Sequence, residues 1–186
     1  GGLKTFDFAV ANPPFSSKNW TSGITPSDDP FERFSYGIPP EKNGDYAFLL
    51  HLFKSLKPSG KGAIILPHGV LFRGNAEARI RTELLNLGII KGIIGLPTNL
   101  FYGTGIPACI IVIDKEHAQT AQFAEDGSRQ VISGGSVFMI DASQGFIKDG
   151  NKNRLREQDI HKIIDTFTKQ EEIDHYSRMV HLSEIA

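Results

Sequence analysis

An amide side chain, two prolines and an aromatic ring stand in immediate succession at Asn12-Pro13-Pro14-Phe15. Each residue type has a chemical use in that order. The side-chain oxygen of Asn12 accepts hydrogen bonds. So does the backbone carbonyl of Pro13, which two consecutive rings of fixed φ hold in one direction. Two acceptors aimed at the hydrogens of an exocyclic amine such as that of adenine draw its nitrogen towards tetrahedral geometry. The lone pair, otherwise delocalised into the ring, is then localised and becomes nucleophilic. Phe15 offers a face on which a flipped base stacks, a contact worth roughly 1–3 kcal/mol. Taken alone, the four residues also fit a rigid turn after a strand. The same acceptors suit an amine in DNA, in RNA or in a protein glutamine amide. A second Pro-Pro, in Ile38-Pro39-Pro40-Glu41, has neither the polar residue before it nor the aromatic after it.

The elements around this motif place it at the end of a strand. Thr5 to Ala11 reads as a buried strand that the prolines terminate. Ligands of open α/β sheets bind beyond the carboxyl ends of strands. Residues 16–44 are polar and aperiodic and read as a long surface loop, in which Trp20 is either a partner contact or a loop anchor. Asp45 to Leu56 is dense in apolar residues and predicts a buried helix stopped by Pro58-Ser59-Gly60, and Gly62 to Pro67 predicts a short apolar strand. In the next unit Asn75 caps a helix with an Ala76, Ile80, Leu84, Leu87 stripe and a Glu77–Arg81 pair, and Gly88 stops it. Ile89 to Leu96 and Ala108 to Ile113 predict two further strands. The pattern is that of an α/β fold with a mostly parallel sheet. The short connection Pro97 to Pro107 suits an antiparallel return at the end of that sheet.

Further along, Lys115 to Ser136 reads as an exposed excursion and Val137 to Asp141 as a short strand. Glu157 to Thr168 predicts a helix with the stripe Ile160, Ile163, Ile164, Phe167, weakly started because Arg156 has no acceptor oxygen. From Gln170 the tail is polar with scattered apolar anchors.

Composition excludes several classes. The 186 residues carry a formal charge of −1, with 22% charged and 40% hydrophobic residues, so a strongly basic particle and a disordered chain are both ruled out. One cysteine, Cys109, forms no disulfide framework, and no Cys/His spacing suggests a metal site. No apolar run approaches the roughly 20 residues of a membrane span, and no signal peptide is expected. A cytoplasmic location is the expectation. The start at Gly1 rather than Met suggests a piece of a longer polypeptide.

Asn12-Pro13-Pro14-Phe15 resembles the signature of amino-group (N6-adenine) DNA methyltransferases. With Gly44 to Phe48 (GDYAF), Gly62 to Gly74 (GAIILPHGVLFRG), Leu96 to Asp114 (LPTNLFYGTGIPACIIVID) and the segment from Asn153 to Ala186, the ordered series is similar to the modification (M) subunit of type I restriction-modification systems over nearly the whole chain. The resemblance implies the carboxyl-terminal half of a Rossmann-like catalytic domain with a following helical segment. Expected divisions are residues 1–116 for the catalytic half, 117–136 for an insertion and 137–186 for a strand and helix beyond it.

The resemblance also implies roles. Asn12 and Pro13 would accept hydrogen bonds from the adenine amine, Phe15 would stack on the base, and Phe101, in preference to Tyr102, would line the other side of its pocket. Lys18 and Arg73 are candidate DNA phosphate contacts. The methyl donor implied is S-adenosylmethionine. In this family its Gly-rich turn and acidic residue lie upstream of the motif, and only eleven residues precede Asn12 here. Contact with it is therefore expected at Asn12 alone, and this stretch by itself is expected neither to bind it nor to methylate. Implied partners are double-stranded DNA and the specificity and restriction subunits. Self-association through an exposed first strand is a further expectation, and a non-catalytic docking module is the rival reading for this stretch.

Overall fold

Short apolar runs punctuated by Gly and Pro build a six-stranded sheet in the computed structural model, which describes residues 2–116, 122–123, 129–130 and 135–185. In chain order the elements are β1 (Phe6–Ala11), α1 (Asp45–Lys54), β2 (Leu56–Pro67), α2 (Asn75–Asn86), β3 (Ile90–Gly95) and β4 (Ala108–Asp114). A two-residue pair follows, β5 (Gln122–Phe123) with β6 (Arg129–Gln130). Then come β7 (Ser136–Asp141), a hairpin of β8 (Ile147–Asp149) and β9 (Lys152–Arg154), α3 (Glu157–Lys169) and β10 (Ser177–His181). Within the 117–136 stretch, residues 117–121, 124–128 and 131–134 lie outside the described residues.

The sheet order is β1-β2-β4-β3-β7-β10. β1 pairs parallel with β2, and β3 with β7; β4 runs antiparallel to both β2 and β3, and β10 antiparallel to β7. The antiparallel return is thus inside the sheet and not at its end. Crossing over through α2 sets β3 two strand positions from β2, and the short Pro97 to Pro107 connection lets β4 fold back into the gap between them. There Ile111 pairs with Ile64 on one side and Ile93 on the other. The segment beyond Ser136 joins the same sheet through β7 and β10.

Other expectations shift in detail. β2 starts at Leu56, because the ladder with β1 absorbs the Pro-Ser-Gly stretch as an irregularity: Phe6 faces Leu56 and Phe8 already faces Lys61. β1, expected to be buried, lies at the sheet edge with Phe6, Phe8 and Val10 exposed, Val10 to 85%. Asn75 makes no side-chain cap; it opens α2 with φ +55°. The start of α3 is closed from within, because Asp159 accepts from the Arg156 backbone N–H at 2.9 Å and from its guanidinium at 2.8 and 2.9 Å. Those bonds hold the Asp159 carboxyl below its ordinary range.

Strand alternation divides the core between two faces. On one face Leu49, Leu50 and Leu52 of α1 and Ile80 and Leu84 of α2 pack on Ile64, Leu66, Cys109 and Ile111. On the other, Ile163 and Phe167 of α3 cover Ile94, Phe138 and Ile140. The rest of the α3 stripe stays open: Ile160 and Ile164 border an apolar cleft of about 640 Å³ with Ile65, Ile110, Val112 and Phe101.

A buried ionic cluster ties α1 to the segment after β2. Asp45, 0% exposed, accepts from Arg73 Nη2 at 2.6 Å, and Arg73 also pairs with Glu77, itself 2% exposed. Glu77 is therefore spent on Arg73, not Arg81. Arg81 instead donates to the carbonyls of Val70 and Arg73, both at 3.1 Å, while the Tyr46 hydroxyl donates to Val70 at 2.8 Å.

Two stability predictions follow from this packing. Arg73→Met leaves two buried carboxylates unpaired and should cost about 3–5 kcal/mol in denaturant unfolding. Leu50→Ala should cost about 3 kcal/mol, whereas Ile164→Ala, at a 52% exposed position, should stay within about 0.5 kcal/mol.

Candidate functional site

β1 delivers the motif. Its last residue, Ala11, pairs with Ile64, and Pro13 and Pro14 then end the ladder because they have no N–H to give. Asn12 is exposed, and among the described residues its carboxamide makes no hydrogen bond. Pro13 and Phe15 are half-buried. The chain then turns at Ser16, whose φ is +51°, and the Ser16 N–H donates to Asp45 Oδ1 at 2.7 Å. The Gly44 N–H donates to the Ser17 carbonyl at 2.9 Å. The turn behind the motif is thereby bolted to the first turn of α1.

The long loop between Ser17 and Gly44 is packed and not free. Trp20 donates from Nε1 to the Pro40 carbonyl at 2.9 Å and meets the Phe34 ring edge-on at 5.3 Å, so it anchors the loop. A Cβ on Gly44 would lie 2.7 Å from the Trp20 Cβ, which is why glycine stands there. Arg33 closes the far turn on Asp29, donating from Nη2 at 2.6 Å and from its backbone at 2.7 Å. Those bonds hold the Asp29 carboxyl below its usual range.

The second aromatic arrives from the connection between β3 and β4. Phe101 sits with its ring centroid 5.4 Å from that of Phe15, the planes at 68°. Tyr102 next to it is 95% exposed. Positive φ at Asn99 (+62°) and Gly103 (+77°) shapes this loop. Asn153 of β9 fixes its base, its side chain donating to the Thr98 carbonyl at 2.7 Å and its backbone to the Asn99 carbonyl at 3.0 Å.

The structure thus brings Asn12, Pro13, Phe15 and Phe101 together. Lys18 is exposed in the turn just after Phe15, without an ion-pair partner among the described residues. Arg73 donates from Nε and Nη2 to Glu77 and from Nη2 to Asp45, so it takes part in an ion-pair cluster with a side chain that is 30% exposed. Cys109 lies in the core, where burial pushes its thiol up to about 12. Sequence reasoning missed Asp45 and the hairpin residues Lys152 and Asn153. An acidic residue directly after Gly44 at the head of an apolar helix was the signal for the first. The other two act on a loop about fifty residues away and left no local signal. Among the described residues no group of His, Cys, Asp and Glu is arranged to hold a metal, and no helix is long and apolar enough to cross a membrane.

Comparison with known proteins identifies the family. The family model described as N-6 DNA Methylase matches residues 2–186. The type I restriction enzyme HindI methylase subunit of Haemophilus influenzae is 34% identical over 93% of this chain and 36% of its own length. The MjaIX methylase subunit of Methanocaldococcus jannaschii is 31% identical over 88% of this chain and 28% of its own. Among solved structures, the type I restriction-modification system methyltransferase subunit from Streptococcus thermophilus superposes with a TM-score of 0.81 at 38% identity, over 98% of this chain and 36% of that one. The chain therefore spans about a third of the length of the relatives it matches. With the family model matching residues 2–186, the chain belongs to the N-6 DNA methylase family.

Proposed function

We propose that this chain is the base-holding part of an S-adenosylmethionine-dependent methyltransferase that acts on the exocyclic N6 amine of adenine in DNA, within the modification subunit of a type I restriction-modification system. One observation carries the reading. An unpaired amide and a fixed proline carbonyl stand at the carboxyl end of a strand, beside two aromatic rings drawn together from separate parts of the chain. Membership of the N-6 DNA methylase family supports the same chemistry.

In this mechanism Asn12 Oδ1 and the Pro13 carbonyl accept the two amine hydrogens and localise the nitrogen lone pair. Phe15 stacks on the extruded base and Phe101 closes its other side. The contribution is orientation and hydrogen bonding, with no covalent intermediate on the protein. When bound, S-adenosylmethionine supplies an electrophilic methyl group. Of its site this chain would provide Asn12, whose free carboxamide at the end of the edge strand suits contact with a ligand lying beyond β1. Lys18, exposed next to the motif, is the residue here suited to a DNA phosphate. Double-stranded DNA and the specificity and restriction subunits are the proposed partners. Residues 1–116 are the proposed catalytic part and 137–186 the part that continues its sheet. In isolation the open edge and exposed Phe8 and Val10 of β1 favour pairing between copies.

The decisive experiment measures methyl incorporation by the complete subunit that contains this chain, assembled with its specificity subunit. Asn12→Ala should reduce adenine methylation in duplex DNA by about 10²- to 10³-fold with DNA affinity little changed. Near wild-type activity, or transfer to RNA or a glutamine amide in place of DNA, overturns the reading. For the 186-residue chain alone, calorimetry should detect no S-adenosylmethionine binding. Val10→Lys should lower any dimer fraction in sedimentation.

A further inference from the structure

One ammonium group gathers several oxygens of the loop that carries the second wall of the proposed base pocket. Lys152 of β9 is half-buried, and its Nζ lies 2.7 Å from the Phe101 carbonyl, 3.2 Å from the Thr104 carbonyl and 3.3 Å from Asn99 Oδ1. A lysine ammonium has three protons, so these three oxygens use all of its donors. Among the described residues no carboxylate pairs with it. The three acceptors belong to one loop, and the middle one is the backbone of Phe101 itself. The loop returns the grip, since Asn99 Nδ2 donates to the Asn151 carbonyl at 3.0 Å in the turn between β8 and β9.

This arrangement differs from that of a surface lysine. An exposed ammonium is hydrated and keeps its donors for solvent or phosphate. Here they converge on carbonyl oxygens that would otherwise point into one another around a tight turn. Removing the cation leaves three oxygen dipoles facing one another, and the loop relaxes away from β9. The ring of Phe101 moves with its backbone.

Building on the base-pocket reading above, we infer that Lys152 is a positioning residue: by caging the loop from Asn99 to Thr104 it sets where Phe101 stands opposite Phe15. Lys152 thereby serves the methyl-transfer site from the β8–β9 hairpin without touching the base. A displacement of the order of 1 Å in such a wall costs up to about 100-fold in rate.

The test uses the complete methyltransferase subunit with its specificity subunit and duplex genomic DNA, and reads single-turnover methyl transfer and DNA affinity across a salt series. Lys152→Met should slow transfer about 10- to 100-fold, while DNA affinity and its salt dependence stay as in wild type. Placed in a Phe101→Ala background, the same change should cost less than about twofold more, because the two residues act through one wall. Arg154→Ala, which removes only the exposed pair with Asp149 on the same hairpin, should leave transfer unchanged. If Lys152→Met does not assemble, Lys152→Gln, which keeps two N–H donors but no charge, should still slow transfer measurably below wild type. The inference is overturned by wild-type transfer in these lysine variants. Full additivity with Phe101→Ala also overturns it, as does a loss confined to DNA affinity with a salt slope lower by about one, the mark of a phosphate contact. Should the wild-type assembly itself fail to methylate adenine, the base-pocket reading falls; an active wild type with indifferent lysine variants sinks this inference alone.

Discussion

A carboxylate shut away from water is tolerated only where its oxygens are answered by donors, and Asp45 is answered from two distant directions. Ser16 supplies a backbone N–H to one oxygen and Arg73 a guanidinium to the other. Its place in the first turn of α1 adds the favourable field of the helix N-terminus. Three segments thereby meet at one charge: the turn behind the Asn-Pro-Pro-Phe motif, the helix that fills the core, and the stretch between β2 and α2. Neutral residues would pack there at less electrostatic cost, but they would not specify which backbone N–H lies where. A buried pair of this kind stabilises little on balance against a well-packed apolar substitute; what it determines is geometry.

That geometry matters because of what is left unpaired. Asn12 projects from the end of β1 with its carboxamide free among the described residues, in a region where its neighbours' polar groups are satisfied by the Ser16, Gly44 and Asp45 bonds. An acceptor already occupied by protein donors could not engage an amine. Satisfying the scaffold while leaving the working oxygen open is the arrangement that hydrogen-bond catalysis requires. The opposite wall follows the same logic by other means. Phe101 is held through its own carbonyl by Lys152, and its loop through Thr98 and Asn99 by Asn153, so its ring is free of polar obligations.

Much of this was legible in the sequence where the signal is local. The helices over Asp45–Lys54, Asn75–Asn86 and Glu157–Lys169 announce themselves by period and by the Gly88 stop. The motif is four contiguous residues. Less legible was whatever depends on a partner far along the chain. β8, β9 and β10 are three to five residues long and largely polar, so neither hydropathy nor period marks them. The insertion of β4 between β2 and β3 depends on crossover geometry, which no local pattern encodes. Arg73 read as a surface cation because one of its two buried partners, Asp45, lies 28 positions away and the burial of the other, Glu77, has no local signal. Glu77 offered two arginines at helical spacing, and burial, not spacing, decided between them.

The contact between Phe15 and Phe101 sets the last condition on the site. At 5.4 Å edge-to-face the rings fill the space between the walls, whereas a base stacked on both at the usual separation would need roughly 6.8 Å, twice the 3.4 Å stacking rise. In the proposed reading the base therefore replaces the ring–ring contact and does not enter a gap that is already open. The exchange is favourable in magnitude, since an aromatic pair contributes about 0.5–1.5 kcal/mol and a stacked base about 1–3 kcal/mol. It is also local. With the Phe15 turn bolted to Asp45 and the Phe101 backbone caged by Lys152, the adjustment falls on side-chain rotation of Phe101 above a backbone that stays in place. Rigid anchors with one displaceable contact between them keep the acceptors aimed while the base takes its position.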